Sequence, residues 1–154
     1  MSSSSLREQI ITTARAWVKA HNDRDPEAIK AIAAPDFVAH FFPLSLPPQG
    51  DKDRGGYAAF QAQAFPLFAT YHAAEVDLVV DEAQLKAIVY LDSNGTAAVP
   101  GVTDPYKNQY VHKLTLTEDA KLVKVFDSFV DSAGMLAFMG KVFAASGGAP
   151  EESK

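Results

Sequence analysis

Apolar positions in the first stretch of the chain recur every three or four residues. From Leu6 to Ala20 they are Ile10, Ile11, Ala14, Trp17 and Val18, the stripe of an amphipathic helix. His21-Asn22-Asp23-Arg24-Asp25 ends that pattern. Asp25 then caps a second helix with Pro26 at its first position and Ala28, Ile29 and Ile32 on its buried side. Ala34-Pro35 stops the second helix, because the residue before a proline is disfavoured in helical geometry. Asp36–Phe42 reads as a short aromatic strand, and Pro43 to Gly50 as a proline-rich loop. A third helix is expected from Gly56 to about Thr70, kinked or ended early by Pro66. Two strands, His72–Asp81 and Leu85–Ser93, precede a turn at Asn94-Gly95.

From Tyr106 the period changes to two. Strands at Tyr106–Thr117 and Lys121–Asp131 are joined by Glu118-Asp119-Ala120, and a short helix follows from about Ala133 to Ala144. On the first of these strands Lys107, Gln109, Lys113, Thr115 and Thr117 mark a wet face. Tyr106, Asn108, Tyr110, His112, Leu114 and Leu116 mark the other. On the second, Val123, Val125, Asp127, Phe129 and Asp131 share a side opposite Lys124. Pairing the two predicts Asp127 and Asp131 beside Tyr106, Asn108, Tyr110 and His112, as the lining of a pocket. Helices first and consecutive strands afterwards give an α+β domain with a mostly antiparallel sheet. A curved sheet of this kind, wrapped around the N-terminal helices, makes a cone open at one end. One domain is expected over residues 6–145, with disordered tails at 1–5 and 146–154.

Composition narrows the chemistry. The 154 residues are 47% hydrophobic and 21% charged, with a net charge of −5 and no cysteine. One domain with a real core fits that length. Without a run of Lys or Arg there is nothing for nucleic-acid phosphates. No stretch approaches a membrane span, and the polar Met1-Ser2-Ser3-Ser4-Ser5 start shows no signal peptide, so the cytosol is the default location. Disulfides and thiolate chemistry are excluded. His21, His40, His72 and His112 stand on four separate elements, without the close spacing of zinc ligands, so no metal is expected. There is no phosphate loop, dinucleotide fingerprint or Gly-x-Ser-x-Gly elbow. What remains is acid–base chemistry. Asp127 and Asp131 are carboxyls whose pKa burial would raise toward working pH, and His112 and His40 are candidate partners. Tyr110 and Tyr106 are candidate donors to a developing enolate, and Asn108 a carbonyl anchor. Tyr57, Phe60 and Phe129 are candidate pocket wall. Asp131 has an equally good structural use as the cap of the last helix.

Ala20-His21-Asn22, Asp25-Pro26-Glu27-Ala28-Ile29 and Ala34-Pro35-Asp36 resemble the nuclear transport factor 2-like superfamily. Pro105-Tyr106-Lys107-Asn108-Gln109-Tyr110 and Phe129-Val130-Asp131-Ser132 resemble its SnoaL-like polyketide cyclases and small fungal isomerases of secondary metabolism. The resemblance covers roughly residues 6–140. It implies a cone-shaped fold, a homodimer packed through the sheet, and a pocket that uses side chains without a cofactor. The small-molecule substrate would be a polyketide or terpenoid-type intermediate, such as a meroterpenoid, and the reaction an isomerisation or cyclisation. Dehydration is an alternative, with His40 and His112 over one pocket, and so is a non-catalytic binding module. One departure stands out. Where the resemblance leads one to expect a glutamate before Phe129-Val130-Asp131, this chain has Ser128, and by alternation Asp127 cannot take its place.

Overall fold

The computed structural model describes residues 3–47 and 49–147. Helix α1 (Ser3–Asn22) turns Ile10, Ala14, Trp17, Val18 and His21 inward, all buried. It starts earlier than the apolar stripe suggested, so Ser3–Ser5 are helical and not tail. Residues 1–2 and 148–154 of the expected tails lie outside the described residues. Helix α2 (Pro26–Ile32) begins where the Asp25 carboxylate accepts from the Glu27 and Ala28 N–H groups, both at 3.0 Å. That carboxylate satisfies donors the first helical turn leaves open. Strand β1 (Ala33–Phe42) follows directly. A short β2 (Lys52–Asp53) leads into α3 (Arg54–Ala64), capped by Asp53. Pro66 ends α3 early, in a single 3₁₀ turn over Phe65–Leu67.

The chain then runs extended as β3 (Phe68–Asp81) and β4 (Lys86–Ala97). The expected turn at Asn94-Gly95 does not form. Both residues are in β4, with Asn94 opposite His72 and Gly95 opposite Tyr71. Gly95 is there for close approach: a Cβ at this position would stand 2.6 Å from the Thr70 carbonyl oxygen. Strands β5 (Tyr106–Leu116) and β6 (Val123–Val130) and helix α4 (Ser132–Ala145) complete the fold.

The strands form one mixed sheet in the order β2-β1-β6-β5-β4-β3. Only β1 and β6 run parallel; the other neighbours are antiparallel. The first three helices cover one face, so the fold is the expected α+β cone. Its main core joins Ile10, Ala14 and Trp17 of α1 to Phe37, Val89, Leu114 and Phe126 of the sheet. A smaller cluster packs Phe138 and Val142 of α4 over Tyr106.

One irregularity decides what the two faces carry. Leu116 pairs with Val123 but Thr115 pairs with Val125, so Lys124 is an extra residue on β6, a β-bulge. Beyond it the alternation of β6 is inverted. Phe126 and Ser128 lie inward, opposite Leu114 and His112. Asp127 and Phe129 lie outward, opposite Lys113 and Val111. The expected grouping of Asp127 and Phe129 with His112 and the tyrosines is therefore wrong.

Candidate active site

Two polar groupings result, one on each face of the sheet. The inner one is built from α1, α3 and the middle strands. His21, one helical turn beyond Trp17, places its Nδ1 2.8 Å from the Trp17 carbonyl oxygen and its Nε2 2.8 Å from the Tyr57 hydroxyl. A carbonyl only accepts, so the His21 proton is on Nδ1, and Nε2 accepts from Tyr57. The Tyr57 oxygen also accepts from Gln61 Nε2 at 2.7 Å. Burial pushes the His21 pKa down to about 4, against a smaller upward pull from its bond to Trp17. His21 is therefore neutral at pH 7, with both nitrogens engaged.

His112 is different. It is 7% exposed, and its Nδ1 is buried without a hydrogen-bond partner. Its ring lies 4.8 Å from Phe126, 5.7 Å from Tyr110 and 5.8 Å from His21. Burial first, and then the neighbouring His21, hold its pKa well below the ordinary imidazole value. Beside it runs a chain of hydroxyls. Tyr110 is hydrogen-bonded to Tyr106, and Tyr71 lies beside them with Ser93 near by. Asn108 Nδ2 donates to the Tyr106 oxygen at 2.8 Å and to the Asp131 carbonyl at 3.2 Å. Burial raises Tyr71, Tyr106 and, furthest, Tyr110 above the usual phenol range. All three stay protonated and act as donors at neutral pH. Tyr57 is fully enclosed, and Phe60 is half-buried against Phe41, as inner wall.

The outer grouping centres on Asp127. Its Oδ1 accepts from His40 Nδ1 at 2.7 Å, and its Oδ2 lies 2.6 Å from Lys113 Nζ. Burial alone would raise this carboxyl, but the hydrogen bonds and charges of Lys113 and His40 outweigh it, and its pKa is lowered. His40 Nε2 stands 3.7 Å from Asp51. Phe129, 47% exposed, stacks on Phe42 at 4.6 Å. Asp131 is exposed, and its Oδ1 accepts from Ala133 N–H at 3.1 Å and Gly134 N–H at 3.4 Å, the cap of α4.

The structure thus brings together His112, Tyr110, Tyr106 and Asn108 inside, and His40 with Asp127 outside. It separates the acids from the interior, and it also separates His40 from His112, so the histidine pair of the dehydratase alternative does not form. Sequence reading passed over His21, Tyr71 and Ser93. His21 follows Trp17 at helical spacing on the buried stripe, and Ser93 alternates with Val89 and Leu91, so both carried a signal. Among the described residues, no group of three or more His, Cys, Asp or Glu is placed to hold a metal ion. A surface groove of about 430 Å³ is on the outer face against Val76, Tyr90 and Phe129. Its polar rim is already engaged: Gln109 Nε2 donates to Asp92 at 2.9 Å, and Asp131 caps α4. Among the described residues, the buried acid–base group without a hydrogen-bond partner, His112, is inside, so the candidate site is the interior.

The SnoaL-like domain model matches residues 14–125. The chain belongs to the SnoaL-like family. A relative from Penicillium brasilianum, austinoid biosynthesis clusters protein H, is 28% identical over 145 residues, covering 92% of this chain and 95% of its own. Austinoid biosynthesis clusters protein S of Emericella nidulans is 25% identical, covering 90% and 96%. Among solved structures, the BvnE pinacolase from Penicillium brevicompactum superposes with a TM-score of 0.81 at 27% identity, over 94% of this chain and 97% of that one. These SnoaL-like relatives come from fungal secondary metabolism, and isomerase or cyclase chemistry is supported at the level of the family. No helix among the described residues is long and apolar enough to cross a membrane.

Proposed function

We propose that this protein is an isomerase or cyclase acting by acid–base chemistry, with no cofactor, on an uncharged, carbonyl-bearing polyketide or terpenoid-type intermediate. The observation that carries the reading is His112: a buried neutral imidazole with an unpartnered nitrogen, next to a chain of protonated phenols. In the proposed cycle the imidazole takes a proton from the carbon beside a carbonyl. The electron pair moves onto the carbonyl oxygen, which accepts from the Tyr110 hydroxyl. Return of the proton from the imidazolium to another carbon gives the isomer; attack of the enolate carbon on a second carbonyl closes the ring, and the imidazolium proton goes to the new alkoxide. The imidazolium and the enolate arise together in a dry interior, where each is the other's counter-charge. Ser128, opposite His112, supplies no carboxylate, and His112 fills that role here. Asn108 fixes Tyr106, and Tyr106 orients Tyr110.

The test is deuterium exchange in D2O. Neutral cyclic enones and terpenoid–polyketide esters are incubated with the protein and followed by NMR. His112→Gln should slow exchange by about 10²–10⁴-fold and Tyr110→Phe by about 10²-fold. The second reading, a binding module without chemistry, is favoured by the placement of Asp127 and Asp131 away from the interior. Tight binding without exchange would select it. We also propose a homodimer through the outer sheet face, supported by the exposure of Val76, Tyr90 and Phe129 there. Light scattering should give twice the chain mass, and Tyr90→Glu should return it to one.

A further inference from the structure

Trp17 is the largest fully buried side chain and the single tryptophan of the chain. Its indole is stacked on Tyr57 at 5.8 Å and meets Phe37 at 5.6 Å, Phe126 at 5.0 Å and His21 at 5.0 Å. The other buried polar side chains, His112 apart, are satisfied. Thr13 Oγ1 donates to the Ala120 carbonyl, His21 uses both nitrogens, Ser93 donates to the Asn108 carbonyl, and Asn108 bonds Tyr106. Among the described residues, two buried side-chain polar atoms lack a hydrogen-bond partner: Trp17 Nε1 and His112 Nδ1. Both rings pack on the same pair of side chains, Phe126 and His21, Trp17 from α1 and His112 from β5.

An N–H buried without an acceptor opposes folding, and native interiors rarely keep one without a use. Here the Trp17 N–H and the unpartnered His112 ring nitrogen flank one aromatic ring, with no buried Asp, Glu, Lys or Arg among the described residues. We propose that Trp17 is a substrate-binding residue, whose Nε1–H donates to a carbonyl oxygen of the molecule on which His112 acts. The inference rests on the reading above for the ligand's class, a neutral carbonyl compound. The indole can only donate, so it fixes an acceptor oxygen and refuses a donor such as an ammonium group. A second anchor on the helix side sets which carbon of a polycarbonyl molecule lies against the imidazole, so Trp17 would govern regiochemistry as well as affinity.

A single tryptophan gives a single indole N–H signal in an ¹H–¹⁵N spectrum. The full-length protein is titrated with a neutral bicyclic enedione, the Wieland–Miescher ketone. The indole proton should move downfield as it gains an acceptor. Trp17→Phe, which keeps a ring and removes the donor, should raise the enedione Kd by about tenfold, the value of one neutral hydrogen bond. His112→Phe should leave the ligand-induced indole shift in place. An indole signal unmoved up to the solubility limit of the enedione overturns the inference, because the N–H would then rest on the Phe126 ring. An unchanged Kd in Trp17→Phe overturns it as well. Exchange is scored separately. A moving indole with no deuterium exchange keeps the anchor and rejects the catalysis; exchange with an inert indole does the reverse.

Discussion

Asp127→Asn separates the two faces of the sheet. Asp127 sits in the outer grouping with a side chain 13% exposed, holding His40 at 2.7 Å and Lys113 at 2.6 Å. Asparagine keeps the shape and one acceptor oxygen but loses the charge. A hydrogen bond to a charged partner contributes about 1.5–3 kcal/mol. The Lys113 ammonium is 44% exposed, which screens its share. A net loss of about 2 kcal/mol is expected, or a fall in Tm of about 4–8 °C for a chain of this size. The pH dependence follows from the lowered carboxyl pKa. Its folded value is below the ordinary 3.8, so the contribution is full above about pH 5 and fades as pH falls through that folded value. Urea unfolding of wild type and variant at pH 7 should differ by the full amount, and the difference should shrink steadily as pH falls below 3.8. Lys113→Met in the Asp127→Asn background should then cost much less than it does alone, the mark of a direct pair. Deuterium exchange on a carbonyl substrate should stay at the wild-type rate. A variant of normal stability that has lost exchange would refute the reasoning, and would return Asp127 to the role its place in the sequence suggested.

Acid should loosen the interior before it reaches the carboxylates. His21 is held neutral with a pKa of about 4, against 6.5 when unfolded, so the unfolded chain binds the extra proton between those values. Stability should fall as pH drops from 6.5 toward 4, by up to about 3 kcal/mol from this residue, with His112 adding in the same direction. A flat urea midpoint across that range would count against both buried neutral histidines. Gly95→Ala should cost about 1–3 kcal/mol, because the new methyl meets the Thr70 carbonyl oxygen, and a Tm within a degree of wild type would contradict the close approach.

Much of this protein is local in origin and could be read from the chain. The stripe Ile10–Trp17, the Asp25-Pro26 start, the stop at Pro66 and the inward face Tyr106–Leu116 depend on spacing, capping and ring geometry within a few residues. Those signals also gave the α+β order and, through short motifs, the family. The grouping was legible where it depended on a single strand, so the candidates His112, Tyr110, Tyr106 and Asn108 fall on one side of β5. It failed where two strands had to be phased against each other. Alternation within a strand is local, but its phase against a partner is set by pairing, and one extra residue inverts it. Lys124 is that residue. It turns Asp127 outward to Lys113, while the parallel seam between β1 and β6 brings His40 opposite it. Asn94-Gly95 failed for a related reason: a dipeptide that favours turns was overridden by a neighbouring strand that needed a residue without a side chain. His21 joined the interior because α1 packs across β3 and β4, which sets its ring 5.8 Å from that of His112, a residue far from it in sequence. Which residues are candidates for chemistry was written in the sequence; which of them meet was decided by register, a bulge and the packing of one helix.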